Sequence, residues 1–118
     1  MKVVNVKVKY IRPLGYSNLK DWLKDPENVY IGRKGIVFVE GCRFPVSSSP
    51  FANPFKVGKD GTRAEVIIKY EKDLRKRLLK SAKLRKALEE LKGKRLGCWC
   101  HPEACHGDVL LKLLNEKD

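Results

Sequence analysis

Leu96-Gly97-Cys98-Trp99-Cys100-His101-Pro102-Glu103-Ala104-Cys105-His106-Gly107-Asp108-Val109-Leu110-Leu111 joins two apolar runs across a polar turn. The first run, Leu96 to Cys100, has the length and content of a short strand. The second, Val109-Leu110-Leu111 with Leu113-Leu114, repeats at helical spacing. Upstream, Ile36-Val37-Phe38-Val39 has the β-branched and aromatic content of a buried strand. The order Ile36–Val39, a helical stretch over Glu65–Leu91, then Leu96–Cys100 is a strand–helix–strand unit, in which the strands pair in parallel. The expectation is an α/β fold: one small domain over residues 1–118, with a partly parallel sheet of about four strands flanked by helices.

The intervening helices announce their starts. Thr62-Arg63-Ala64-Glu65 has the form of a capping box, and Ile67, Tyr70, Leu74 and Leu78 follow at helical spacing. Ser81 is placed to cap a second helix carrying Leu84, Ala87, Leu88 and Leu91, with Gly93 as its stop. Near the N-terminus, Val4, Val6, Val8 and Tyr10 alternate with polar residues, which reads as a half-buried strand ended by Pro13 and Gly15. Ser17 can cap a short helix to Lys24 with Leu19, Trp22 and Leu23 inward, and Val29-Tyr30-Ile31 is a further short strand.

The turn after Cys98 gathers three of the four cysteines and both histidines. Cys98 and Cys100 are two apart on a strand and share a face, with Trp99 opposite. Pro102 suits a first helical turn, which puts Cys105 and His106 at a helix start, where free amides stabilise negative charge. A thiol there is expected to have a lowered pKa, and an anion such as phosphate can be held. Gly107 is expected to let a ligand approach the backbone.

Three readings follow. Cys100 or Cys105 is a nucleophile, with His106 or His101 as acid–base group and Asp108 orienting His106. Alternatively Cys98, Cys100, Cys105 and His106 bind zinc, although C-x-C-x4-C-H is not a common finger spacing. Otherwise the cysteines are small buried hydrophobes. Cys42 stands apart and is expected to be buried. No other cofactor is expected.

Between Gly41 and Asp60 periodicity is lost, and a loop this long in so small a domain is usually functional. Ser49, in Ser47-Ser48-Ser49, offers a hydroxyl to phosphate. Asn53, held extended by Pro54, offers an amide. Arg33, after a strand and a glycine, can grip an anion with two nitrogens.

The charge balance is lopsided: 26 lysines and arginines against 14 acidic residues, a net +12. Such a surface attracts polyanions. Residues 69–95 are especially basic, and Arg75, Lys76 and Arg77 are candidate contacts to nucleic acid. A Lys/Glu-rich surface is also a habit of heat-adapted proteins. No apolar run reaches membrane-spanning length and no signal segment is read, so the expected location is the cytoplasm and no membrane partner is expected.

With these motifs in place, the chain resembles an uncharacterised family, domain of unknown function 4326. The likeness rests on Val3-Val4-Asn5, Tyr30-Ile31-Gly32-Arg33, Asn53-Pro54-Phe55, Gly58, the Gly61-Thr62-Arg63 to Tyr70 helix opening and Gly93-Lys94. It continues with Leu96 to Pro102 and Cys105-His106-Gly107-Asp108. One departure is Phe51, where such proteins often carry tryptophan. The resemblance implies that Arg33, Asn53, Cys98, Cys100, Cys105, His106 and Asp108 share one site, and it implies no activity. A local likeness to a second uncharacterised family, number 488, favours a site at the carboxyl end of a strand.

The leading expectation is a site for a phosphorylated or nucleotide-like small molecule, with Cys100 or Cys105 as nucleophile. Cys105→Ala is then expected to remove any activity with little loss of fold. The rival is a basic nucleic-acid-binding module with structural or zinc-binding cysteines.

Overall fold

The computed structural model describes residues 2–100 and 103–116, so His101 and Pro102 lie outside the described residues. The elements in chain order are β1 (Lys2–Asn5), α1 (Val8–Ile11), a 3-10 turn (Arg12–Leu14), α2 (Leu19–Trp22), β2 (Asn28–Tyr30), β3 (Val37–Val39) and β4 (Cys42–Phe44). There follow α3 (Arg63–Lys80), α4 (Ala82–Glu89), β5 (Arg95–Cys98) and α5 (His106–Glu116).

The fold is α/β. Strand β5 lies at the centre of a three-stranded sheet in the order β1-β5-β2, with both pairings parallel. Lys2 to Asn5 register with Arg95 to Cys98, and Asn28 to Tyr30 with Arg95 to Gly97. Being central, β5 is buried on both faces. Leu96 and Cys98 point into the cluster built by α3, α4 and α5, with Tyr70, Leu74, Leu88, Leu110 and Leu114 all at 1% exposure or less. Each such leucine contributes about 1.5–3 kcal/mol relative to an exposed one. The opposite face is covered by Val6, just after β1, and by α1 and α2 through Ile11, Leu19 and Trp22. Gly97 belongs to that face. A Cβ there would stand 2.6 Å from the Trp22 ring and 2.7 Å from Val6 Cγ1, so the indole lies directly on the strand backbone.

The helix signals are realised as read. The Thr62 side chain accepts from the Glu65 amide, and Glu65 reaches back to the Thr62 amide at 2.9 Å. Ser81 ends α3 and caps α4 through the Leu84 amide. Gly93, at φ +79°, turns the chain toward β5 in a left-handed conformation that glycine tolerates.

The parallel sheet has three strands, and two more form a separate hairpin. Four expectations are corrected. Ile36 to Val39 is not a buried parallel strand, because β3 pairs antiparallel with β4 in a separate hairpin, and Phe38 is 67% exposed. The two-residue turn between them, Glu40-Gly41, has positive φ at both positions, which matches the twist of a tight hairpin. The alternation from Val4 to Tyr10 is not one strand. Asn5 Oδ1 accepts from the Lys7 amide, the strand ends, and Val8 begins a helix. Asn18, not Ser17, caps α2, through the Asp21 amide. Cys42 lies on the exposed hairpin and is itself exposed.

Candidate functional site

A cleft of about 270 Å³ opens beyond the carboxyl end of β5. In open parallel sheets this is where ligands bind, because the chain leaves each strand there and helices begin there. Three segments close it. Residues 104–106 lead into α5, Arg63, Val66 and Ile67 come from the first turns of α3, and Asn53, Phe55 and Val57 come from the long loop. Gly32, Arg33, Ile36, Trp99 and Cys100 complete the wall. The loop therefore reaches the cysteine-rich turn. It is anchored by Tyr70, whose buried hydroxyl donates to the Phe51 carbonyl at 2.7 Å. Burial pushes that phenol's pKa up, so it remains a donor.

Two guanidiniums border the cleft, and among the described residues no aspartate or glutamate lines it. Arg33 Nε donates to the Asn53 carbonyl at 2.9 Å and Nη2 to the Phe55 carbonyl at 3.3 Å. Arg33 thus fastens the loop while keeping its charge at the cleft wall. Asn53 Oδ1 accepts from the Phe55 amide, which fixes the turn from the other side. Trp99 Nε1 donates to the Tyr30 hydroxyl at 2.8 Å, and that hydroxyl donates to the Arg33 carbonyl at 2.6 Å. This relay holds the Gly32-Arg33 segment against the sheet.

Arg63 is the residue that sequence reading missed. It lies at the start of α3, bonds the Ala104 carbonyl at 3.3 Å and pairs with Glu103 at 3.0 Å. Its pKa is raised, first by a hydrogen bond with the Cys100 thiol. As part of a capping box it reads as a solvated helix residue. Only the fold brings it to a turn some forty positions away.

The two buried thiols differ from Cys100. Cys98 Sγ and Cys105 Sγ are 3.3 Å apart and almost fully enclosed. The bond to Cys98, then burial, push the Cys105 pKa up, against the lowering expected at a helix start, and the bond from the Gly107 amide does not reverse this. Hydrogen-bonded and packed, Cys105 is held as a neutral thiol. Cys100 is half-buried and borders the cleft.

His106 opens α5. Its Nε2 lies 2.7 Å from the Ile31 carbonyl, and its ring meets Tyr70 edge-on at 5.1 Å. Burial lowers its pKa, so the ring is neutral near pH 7. A carbonyl only accepts, so the single proton sits on Nε2 and Nδ1 carries a lone pair. Asp108 does not orient this ring. Its Oδ2 accepts from the Cys105 amide at 3.0 Å and caps α5.

The remaining predicted residues lie elsewhere. Gly107 faces the sheet rather than a ligand, and a Cβ there would stand 2.8 Å from Val3 Cγ2. Ser49 accepts from the Phe51 amide and shapes the loop outside the cleft. Arg75 is tied to Glu71 and Glu116, and Arg77 to Asp73 and the Pro50 carbonyl, so only Lys76 of that trio is uncommitted among the described residues. For Cys98, Cys100, Cys105 and His106 as zinc ligands, no set of three His, Cys, Asp or Glu side chains is grouped to hold a metal among the described residues.

Comparison with known proteins places the chain. Residues 16–116 match the domain of unknown function DUF4326, a span that takes in the loop, both arginines and the cysteine-rich turn. The chain belongs to the DUF4326 family. A relative within curated proteins is the uncharacterised 12.4 kDa protein in the nrdA-td intergenic region of enterobacteria phage T4, 48% identical over 61 residues. That match covers 50% of this chain and 56% of the phage protein, so the chain spans little more than half of it. No solved structure matches. The DUF4326 cleft is thus described from its own geometry. No helix among the described residues is long and apolar enough to cross a membrane.

Proposed function

We propose that the cleft binds one small phosphorylated, nucleotide-like molecule. The observation that carries this reading is the pairing of two guanidiniums, Arg33 and Arg63, on a wall with no carboxylate among its described residues. Arg33 bonds only neutral loop carbonyls, and the Glu103 carboxylate that pairs with Arg63 lies outside the cleft lining, so both charges can turn to an anion in the cleft; each guanidinium–phosphate bond contributes about 1.5–3 kcal/mol. The rest of the wall is apolar. Ile36, Phe55, Val57, Val66, Ile67 and Trp99 offer hydrocarbon and ring surface to a flat, weakly polar moiety. A volume of about 270 Å³ lies just below the usual range of roughly 300–1,000 Å³ for ligand pockets. It suits a single nucleotide or a smaller phosphate ester, not a dinucleotide.

In this reading Arg63 carries the anion and Asn53 supports the loop that covers the ring. Any covalent chemistry falls to Cys100, with the neutral His106 Nδ1 as the proton acceptor. Cys105 serves the fold.

Isothermal calorimetry with nucleoside 5′-monophosphates, the matching nucleosides and inorganic phosphate tests the reading. Monophosphates are expected to bind at least tenfold more tightly than nucleosides. Arg63→Ala is expected to weaken them roughly 10- to 100-fold, the equivalent of about 1.5–3 kcal/mol. Equal affinity for nucleosides and their phosphates, or no binding of either, would refute it.

A further inference from the structure

The net charge of +12 is not spread evenly once the fold is formed. Folding pairs off many of the acidic groups with particular cations. Asp25 meets Arg95, Glu40 meets Lys20, Glu71 meets Arg75 and Lys112, Asp73 meets Arg77, and Glu116 meets Arg75. The lysines on the outward side of α3 are passed over. Lys72, Lys76 and Lys80 are exposed and make no ion pair among the described residues. With Lys69 they stand at helix positions that fall within about 80° of arc at 3.6 residues per turn, and they span about 16 Å of axis. Lys69 Nζ bonds the Asp60 carbonyl, which ties the loop carrying exposed Lys59 to the upper end of the row. Glu65, the acidic residue on the same side, is turned back onto the Thr62 amide.

We infer that this row is a contact surface for the phosphodiester backbone of a nucleic-acid duplex. The helix does not suit a membrane surface. Its apolar face, Val66, Tyr70 and Leu74, is spent in the core, and only the isolated Ile68 and Leu79 are left outside. Nor does it suit single strands read by stacking, since no aromatic residue stands in the row. What remains is a line of flexible point charges with nothing to read a base, which is sequence-independent backbone tracking. The row faces away from the cleft side of α3, so this inference stands independently of the small-ligand reading.

The test is fluorescence anisotropy with a labelled 20-base-pair duplex across salt concentrations. With four or five lysines engaged, log K against log salt is expected to fall with a slope of about −4, at roughly 0.9 per phosphate. Lys72→Gln, Lys76→Gln and Lys80→Gln together are expected to flatten it by about 3 while leaving the melting curve unchanged. The charge-matched control Lys7→Gln, Lys9→Gln and Lys24→Gln removes three exposed lysines elsewhere and is expected to flatten it by less than about 1. Equal effects of the two triple variants would overturn the inference, since net charge alone would then explain binding. So would absence of duplex binding, or row-dependent binding to phosphatidylserine vesicles without binding to duplex.

Discussion

The Nε2 atom of His106 lies 2.7 Å from the carbonyl oxygen of Ile31, the residue that follows β2. This bond joins the first turn of α5 to the end of an adjacent strand and fixes both the ring and its tautomer. It also makes stability depend on pH. Burial holds the His106 pKa below the ordinary value of 6.5, so between the two values the unfolded chain binds more protons than the folded one. The contribution is therefore complete above about pH 6.5 and is lost as pH falls toward the lowered folded value. Melting temperatures between pH 8 and pH 5 are expected to drop on the acid side. His106→Gln, which keeps an amide donor for Ile31, is expected to be less stable at pH 8 and to lose most of that slope. The carboxylates with lowered pKa, Asp25, Glu65 and Glu71, titrate below this window and do not confuse it.

The four thiols divide by burial. Cys42 is exposed and Cys100 half-buried, whereas Cys98 and Cys105 are enclosed free thiols hydrogen-bonded to each other. A chromogenic disulfide reagent is expected to titrate two thiols quickly in the native protein and the other two only on unfolding. Cys105→Ala is expected to destabilise by about 1–2 kcal/mol, while Cys100→Ala stays within about 0.5 kcal/mol. This reverses the sequence-based expectation for Cys105, because its sulfur is core packing rather than an exposed helix-start thiol.

Gly107 sits in the first turn of α5, where alanine ordinarily stabilises a helix by up to about 1 kcal/mol. Here the sign is expected to invert. A new Cβ meets Val3 at 2.8 Å and Ile31 at 3.1 Å, both in the packed layer between helix and sheet. Overpacking of this kind costs about 1–3 kcal/mol, and Gly97→Ala against Trp22 is expected to cost at least as much. Urea denaturation of the two variants measures both.

What was legible in the chain was local. The Thr62–Glu65 box, the Ser81 cap and the Gly93 stop depend on residues within four positions of one another, and each is present. The run from β5 into α5 was legible because a strand period gives way to a helix period across one turn. The partner of β5 was not. β1 and β2 are the true neighbours, yet each is only three or four residues long, too short for its periodicity to stand out. The apolar Val37-Phe38-Val39 looked the better strand, and nothing in Glu40-Gly41 has the usual asparagine–glycine form of a tight hairpin. Arg33 and Asn53, singled out in the sequence, line the cleft, though Arg33 spends two nitrogens on the loop. Arg63 lines it too and was not singled out, because its neighbours Cys100, Glu103 and Ala104 are distant in sequence.

The central claim is that the space bounded by Arg33, Arg63 and Cys100 holds a phosphorylated small molecule. The most direct measurement is a two-dimensional nitrogen–proton spectrum of the labelled protein, titrated with a nucleoside 5′-monophosphate. The account predicts saturable shifts confined to Gly32, Arg33, Phe55, Arg63, Cys100 and His106, and absent in Arg63→Ala. Shifts spread along the exposed lysines of α3 with none at these six amides would contradict it.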